Sequence, residues 1–202
     1  MINYPNGMNR RTLTHTSTSH ARRGMRLEDW LNESNEYYLN RGIAVIHKKP
    51  TPIQIVKVDY PKRSAVKITE AYYKEASTTD YNGVYNGLYL DFEAKTTKLK
   101  TRFPLDNFSH HQIQHMDACE KQGGISFVIM YFKHYELCYL VPFSLIKEYW
   151  DNRKLKQSIP YDVIAHSSFP IRMGYLPRLA YIEAVDHYLD FLKEDSDESI
   201  EK

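Results

Sequence analysis

Residues 88–95 read LYLDFEAK, and this stretch decides more of the fold than any other in the chain. Side chains on a β-strand point alternately to its two faces. A strand here would have one wholly apolar face, made by Leu88, Leu90, Phe92 and Ala94. The opposite face would carry Tyr89, Asp91, Glu93 and Lys95. The pattern predicts a strand that packs one face on a core and holds Glu93 and Lys95 side by side.

An aspartate precedes this strand at a spacing that suits a hairpin. Asp80 lies thirteen residues before Glu93, and the chain between them contains Asn82-Gly83 and Asn86-Gly87. Both pairs favour the positive φ angles of tight turns, so we expect Asp80 to fold back beside Glu93. Two carboxylates suit Mg²⁺ or Mn²⁺, and a nearby lysine can offset charge on a phosphate. The alternative is an amphipathic strand whose charged face is simply solvated.

Four segments resemble the RecU family of bacterial Holliday junction resolvases. They are STTDYNGVYNGLYLDFEAKTTK from Ser77, RRGMRLEDWLNESNEYYLNRGIAVIHKKPTPIQIV from Arg22, HHQIQHM from His110 and PRLAYIEAVDHYLDF from Pro177. They are distributed along nearly the whole chain, in the order in which the family has them. The resemblance implies an α/β fold, with a mixed β-sheet flanked by helices. This is the restriction-endonuclease-like core of the PD-(D/E)XK nuclease superfamily, here with a projecting stalk.

The resemblance also assigns roles to residues of the motif. It makes Asp80 and Glu93 catalytic and Lys95 the transition-state stabiliser. It implies that Mg²⁺, with Mn²⁺ as a possible substitute, is held by Thr78, Asp80, Glu93 and Gln112. Glu28, Asp91 and His111 are candidates to support these ligands, and the alternative for Glu28 and Asp91 is a surface position. A zinc site at His111 and His115 is not expected, because the His-Glu-x-x-His pattern is missing.

The basic residues are concentrated in the first third of the chain. Residues 1–63 carry eleven Lys/Arg against five Asp/Glu, whereas residues 103–202 carry ten against fifteen. A basic segment with few apolar residues can order along phosphates, although a solvated tail is the alternative. The candidate DNA contacts are Arg10, Arg11, Arg22, Arg23, Lys48, Lys49, Lys62, Arg63, Lys67, Tyr72 and Tyr73. The last two tyrosines could stack on exposed bases.

Length and composition predict one folded domain. We divide the chain into a flexible basic segment (1–23), a nuclease domain (24–194) and an acidic tail (195–202). The family resemblance makes residues 61–76 a stalk insertion, although from the residues alone an ordinary packed connection is favoured. The predicted helices are 24–41, 110–122, 143–150 and 183–193, and the predicted further strands are 43–47, 53–58, 125–132 and 136–141. No 18-residue apolar run is present and no signal peptide is expected, and Cys119 and Cys138 are expected to be buried, reduced thiols in a cytoplasmic protein.

The resemblance implies a structure-selective DNA endonuclease. It would resolve Holliday junctions by Mg²⁺-dependent paired nicks in recombination and repair, with a further part in chromosome segregation. The implied partners are four-way junction DNA, a second copy of the chain, and recombinase and branch-migration proteins. No interaction with a membrane is implied. Two alternatives remain at this point. One is a nuclease of the same superfamily with another DNA substrate, and the other is a non-catalytic junction-binding protein.

Overall fold

The central element of the fold is a mixed six-stranded sheet. The computed structural model of the protein describes residues 21–59, 67–73 and 78–200. Numbered in chain order, the sheet strands are β1 (Val45–Lys48), β4 (Tyr81–Tyr85), β5 (Leu88–Thr97), β7 (Ile125–Phe132), β8 (Leu137–Pro142) and β10 (Phe169–Ile171). They lie side by side in that same order. Strands β5 and β7 are parallel, and the other neighbours are antiparallel.

Helices cover both faces of this sheet. On one face lie α1 (Ala21–Asn40) and α5 (Tyr181–Ile200), whose apolar residues share a core with Leu90, Phe92 and Phe127. On the other face lie α2 (His110–Lys121), α3 (Phe143–Asp151) and α4 (Tyr161–Ser167). Two short strands, β6 (Arg102–Pro104) and β9 (Ser158–Pro160), pair beside the second face, next to a 3-10 turn at Leu105–Asn107. The predicted mixed sheet flanked by helices is confirmed.

Strand β5 lies inside the sheet and is buried on both faces. Its apolar face packs as predicted, because Phe92 stacks between Tyr81 and Phe127 with ring centroids 5.1 and 4.8 Å away. The polar face is also covered, since Asp91 and Glu93 are only 0% and 2% exposed. A solvated charged face, the alternative considered for this strand, is therefore excluded.

One of the two Asn-Gly pairs forms the turn of the β4–β5 hairpin. Asn86 and Gly87 have φ angles of 47° and 78°, and they connect the paired residues Tyr85 and Leu88. The prediction that Asn82-Gly83 also forms a turn is wrong. Gly83 lies within β4, where an added Cβ would come 2.0 Å from the carbonyl oxygen of Val45 on β1. The close approach of two strands, and not a turn, requires glycine there.

A second, two-stranded sheet forms a β-ribbon. Strands β2 (Ile53–Asp59) and β3 (Lys67–Tyr73) pair antiparallel with each other and not with the central sheet. Nearly all their residues are exposed, so the ribbon is not part of either hydrophobic core. Residues 60–66 and 74–77, which include most of the predicted stalk, lie outside the described part of the chain.

Most predicted elements lie within a few residues of their predicted bounds. The first strand begins two residues later than predicted, and α1 is followed by Gly42 with a φ of 64°, as expected for the end of a helix. Cys138 is buried as predicted, Cys119 is partly exposed, and neither forms a disulfide. None of the helices in the described part of the chain is both long enough and apolar enough to cross a membrane.

Candidate active site

The β4–β5 hairpin brings Asp80 and Glu93 together. Asp80 directly precedes β4, and its backbone N–H donates a hydrogen bond to Glu93 Oε2 at 3.1 Å. In return, Asp80 Oδ2 accepts a hydrogen bond from the backbone N–H of Ala94 at 3.1 Å. Each carboxylate is thus fixed by the other strand's main chain. The result is a rigid pair of acids at the position that the hairpin spacing predicted.

Glu93 is a buried carboxylate whose charged form is disfavoured. Burial raises its pKa from 4.5 to about 7, and the neighbouring carboxylate of Asp80 acts in the same direction. The ammonium of Lys95, 2.8 Å from Glu93 Oε1, lowers the pKa but does not compensate fully. Oxygen ligands that are desolvated and short of positive charge are suited to a hard divalent cation.

Gln112 reaches the acid pair from the first turn of α2. Ser109 and Gln112 form a capping box, in which Gln112 Oε1 accepts a hydrogen bond from the Ser109 backbone N–H at 3.0 Å. The other end of the amide, Nε2, donates to Glu93 Oε1 at 2.7 Å. The capping box therefore aims Gln112 at Glu93. Coordination of a metal by Oε1 would use an oxygen that here accepts the hydrogen bond of the cap.

Lys95 lies on the same face of β5 as Glu93 and remains accessible. Its side chain is 21% exposed, compared with 3% for Glu93. The ammonium also lies 5.8 Å from the ring centroid of Phe108, which limits where the side chain can go. A partly exposed ammonium beside the buried Glu93 and the half-buried Asp80 can contact a phosphate that approaches from solvent.

Behind the acid pair lies a second polar cluster around Asp91. Lys49 Nζ donates hydrogen bonds to Asp91 Oδ2 at 2.6 Å, Thr79 Oγ1 at 2.6 Å and Thr78 Oγ1 at 3.2 Å. The Thr79 hydroxyl also donates to Asp91 Oδ1. The surface alternative for Asp91 is excluded. Lys49, a predicted DNA contact, has a side chain that is only 15% exposed and points inward. Both follow because Asp91 is fully buried and requires a cation.

His115 and Cys119 border this cluster on α2. Their ligand atoms and that of Asp91 lie within 4.8 Å of one another, a spacing compatible with a metal. However, the Lys49 ammonium already lies 2.6 Å from Asp91 Oδ2 and 3.3 Å from His115 Nε2. That ammonium supplies the positive charge that a metal would otherwise bring, so we assign no metal to this cluster.

The remaining predicted residues do not join the acid pair directly. Glu28 forms an ion pair with Lys48 at 2.5 Å, and His111 Nε2 lies 3.0 Å from Ser109 Oγ. Sequence reasoning missed Thr79, although its position between two predicted ligands was an available signal. Lys67, Tyr72 and Tyr73 are exposed on the ribbon. Only the backbone of Arg22 and Arg23 is described, and Arg10, Arg11, Lys62 and Arg63 lie outside the described residues.

Comparisons with known proteins find relatives along most of the chain. A family model described as "RecU: Recombination protein U" matches residues 22–187. The chain is 52% identical over 184 residues to a Holliday junction resolvase RecU of Ligilactobacillus salivarius (strain UCC118), which covers 90% of this chain and 86% of that protein. It is 51% identical over 202 residues to a protein of the same description from Bacillus pumilus (strain SAFR-032), and that match covers 94% of this chain and 98% of that protein.

A solved structure, the Holliday junction resolvase Hjc of Archaeoglobus fulgidus, gives a TM-score of 0.41 at 15% identity. That match covers 71% of this chain and 93% of the archaeal chain. The family model matches most of the chain, and the curated relatives are identical to it at about half of the aligned positions. This chain therefore belongs to the RecU family, Recombination protein U.

Proposed function

We propose that the protein is a metal-dependent endonuclease that resolves four-way DNA junctions. The observation that carries the proposal is the buried Glu93 paired with the half-buried Asp80, held by reciprocal main-chain hydrogen bonds with Lys95 alongside. If Glu93 only formed an ion pair with Lys95 at the surface, its carboxylate would have no need to be desolvated. Membership of a family whose curated relatives are described as Holliday junction resolvases supports the choice of substrate.

The donor set fits Mg²⁺, with Mn²⁺ as a substitute. Asp80 and Glu93 supply two carboxylates that are joined by a hydrogen bond from the Asp80 backbone. Gln112 donates a hydrogen bond to Glu93. Thr78 lies two residues before Asp80 and accepts a hydrogen bond from Lys49. All four offer oxygen, which hard cations prefer, and the pKa of Glu93 is raised chiefly by burial, with a further contribution from the carboxylate of Asp80. When bound, the ion supplies a Lewis acid that polarises the phosphate and acidifies water.

The protein's own residues supply position and charge. Asp80 and Glu93 are held rigid by the hairpin, so little reorganisation is needed when the cation and the phosphate bind. Lys95 stabilises the negative charge that develops on the phosphate oxygens during attack by water. Water would attack the phosphorus and the bond from phosphorus to O3′ would break, so that cleavage leaves a 5′-phosphate and a 3′-hydroxyl.

Resolution of a junction requires two symmetric cuts, whereas one chain holds one Asp80–Glu93–Lys95 set. A homodimer with two-fold symmetry would provide the second set. The exposed tyrosines and lysine of the ribbon would contact the junction, together with the basic N-terminal residues. The family resemblance supports a cytoplasmic role in recombination, repair and chromosome segregation, alongside recombinase and branch-migration proteins. The ribbon and residues 61–76 would together form the stalk.

The test is cleavage of an end-labelled four-way junction and of a linear duplex of matched sequence. Each would be incubated with Mg²⁺, with EDTA, and with the Asp80→Asn protein. A matched control is Asp190→Asn, which removes an exposed carboxylate on α5. We expect paired symmetric nicks on the junction alone, lost with EDTA and with Asp80→Asn but retained with Asp190→Asn.

Two outcomes would contradict the proposal in different ways. Equal cutting of the linear duplex would retain the nuclease and reject junction selectivity. Tight binding of the junction with no cleavage under Mg²⁺ or Mn²⁺ would leave a binding protein. The burial of Glu93 already argues against that second possibility, because a binding protein needs no desolvated acid at this position.

A further inference from the structure

The starting observation is a charged group with no exposure at all. Asp91 is 0% exposed on the central strand β5, two residues before Glu93 and on the same face. A buried carboxylate is costly unless it is paired and hydrogen-bonded. Asp91 has these partners, since it accepts hydrogen bonds from Lys49, Thr79 and Tyr89, and His115 Nε2 lies 3.2 Å away.

Lys49 connects this buried acid to the segment that carries the candidate metal ligands. Its ammonium donates to Thr78 and Thr79, and its backbone N–H donates to the carbonyl oxygen of Asp80 at 2.7 Å. All three residues of the Thr78–Thr79–Asp80 segment are therefore bound by one residue. Thr79 is fixed a second time through its own hydrogen bond to Asp91.

Comparison with the neighbouring Lys48 shows that the inward orientation belongs to Lys49 and is not shared by the adjacent lysine. Lys48 pairs with Glu28 and its side chain is 44% exposed, whereas the side chain of Lys49 is 15% exposed. Two adjacent lysines thus point in different directions. Lys48 is available to solvent, and Lys49 contributes its charge to the interior beside Asp91.

We propose that Lys49 and Asp91 are a positioning pair that holds the Thr78–Thr79–Asp80 segment in the geometry required to bind the catalytic divalent ion. This inference rests on the proposed function for the identity of the site. Asp91 anchors the ammonium of Lys49, and that ammonium orients the two threonine hydroxyls. Neither residue needs to touch DNA or the ion. Groups behind a metal ligand commonly contribute about 10- to 100-fold to metal affinity.

The test measures Mn²⁺ affinity by calorimetry on the full-length protein without DNA. In Lys49→Met, a side chain of similar length loses its charge and its hydrogen bonds. We expect Mn²⁺ to bind at least about tenfold more weakly. Junction affinity in EDTA should stay within about twofold of wild type, because Lys49 is not an exposed DNA contact. The matched control is Lys133→Met, an exposed lysine that also follows a sheet strand and should bind Mn²⁺ normally.

Two further variants cover the case in which Lys49→Met does not fold. Thr79→Val keeps the Lys49–Asp91 charge pair but removes the linking hydroxyl, and it should also weaken Mn²⁺ binding severalfold. The double variant Lys49→Met/Asp91→Asn removes both buried charges. We expect it to regain thermal stability relative to a single charge removal, while Mn²⁺ affinity stays low because the threonines are no longer held.

Several results would overturn the inference. The inference is wrong if Lys49→Met and Thr79→Val both bind Mn²⁺ with wild-type affinity. It is also wrong if Lys49→Met binds the junction more weakly while its Mn²⁺ affinity is unchanged. Recovery of Mn²⁺ affinity in the double variant would show that the two charges only neutralise each other. Since the measurement needs no cleavage, it remains decisive even if the wild-type protein cuts no junction. That separate outcome would count against the proposed function alone.

Discussion

Replacing Glu93 by glutamine should make the metal-free protein less sensitive to rising pH. The pKa of Glu93 is raised from 4.5 to about 7, chiefly by burial. Because the pKa is higher in the folded protein, the stability contributed by Glu93 is fully present below about pH 4.5. It is lost as the pH rises through about 7. At about 1.4 kcal/mol per tenfold change in the proton equilibrium, the total is about 3 kcal/mol.

The measurement is the free energy of unfolding from urea titrations in EDTA at pH 5 and pH 8. Over that interval, wild type should lose about 2.5 kcal/mol more than Glu93→Gln, because glutamine cannot ionise. Titrating groups that do not interact with Glu93 cancel in the difference. Glu148→Gln, which removes an exposed carboxylate, should behave like wild type. Saturating Mg²⁺ should remove most of the difference, since the cation offsets the charge of Glu93.

Parallel pH curves for wild type and Glu93→Gln in EDTA would refute the reasoning. They would mean that Glu93 titrates near its ordinary pKa in spite of its burial. The Lys95 ammonium would then neutralise the carboxylate fully, and the site would have no unmet need for a cation.

Other expectations concern packing, the helix cap and the ribbon. Gly83→Ala should destabilise the protein by about 3 kcal/mol in urea titrations, because the added Cβ meets the backbone of β1. Gly123→Ala, at a φ of 82° with open space around it, should cost about 1 kcal/mol. Ser109→Ala should cost about 1 kcal/mol by loss of the capping box, as measured by thermal melting. Tyr73→Ala should weaken junction binding by about 1–3 kcal/mol in fluorescence anisotropy with EDTA, whereas Tyr175→Ala, equally exposed but away from the ribbon, should not.

Each of these expectations has a result that contradicts it. Equal losses at the two glycines would mean that β1 and β4 separate without difficulty. An unchanged melting temperature in Ser109→Ala would show that the cap contributes nothing to α2. Similar junction affinities for both tyrosine variants would argue that the ribbon does not meet DNA by stacking.

Local patterns predicted the strand and the acid pair because both depend on near neighbours. The alternation from Leu88 to Lys95 follows from strand geometry, and the turn at Asn86-Gly87 folds Asp80 back onto Glu93. The capping box of Ser109 and Gln112 likewise involves only four consecutive residues. Gly83 shows the limit of such reasoning. Its requirement for glycine comes from β1, a strand that begins nearly forty residues earlier.

The amino-acid sequence by itself determined the chemistry available on β5, the positions of the longer helices and of several strands, and the family. The tertiary structure decided which charges are buried and which cation balances each acid. Lys49 and Asp91 are 42 residues apart in sequence, and no periodic pattern relates them. Burial depends on every element packed around a group, and pairing depends on the three-dimensional distance between charges. For that reason the burial of Asp91 and its pairing with Lys49 could be recognised only in the folded chain.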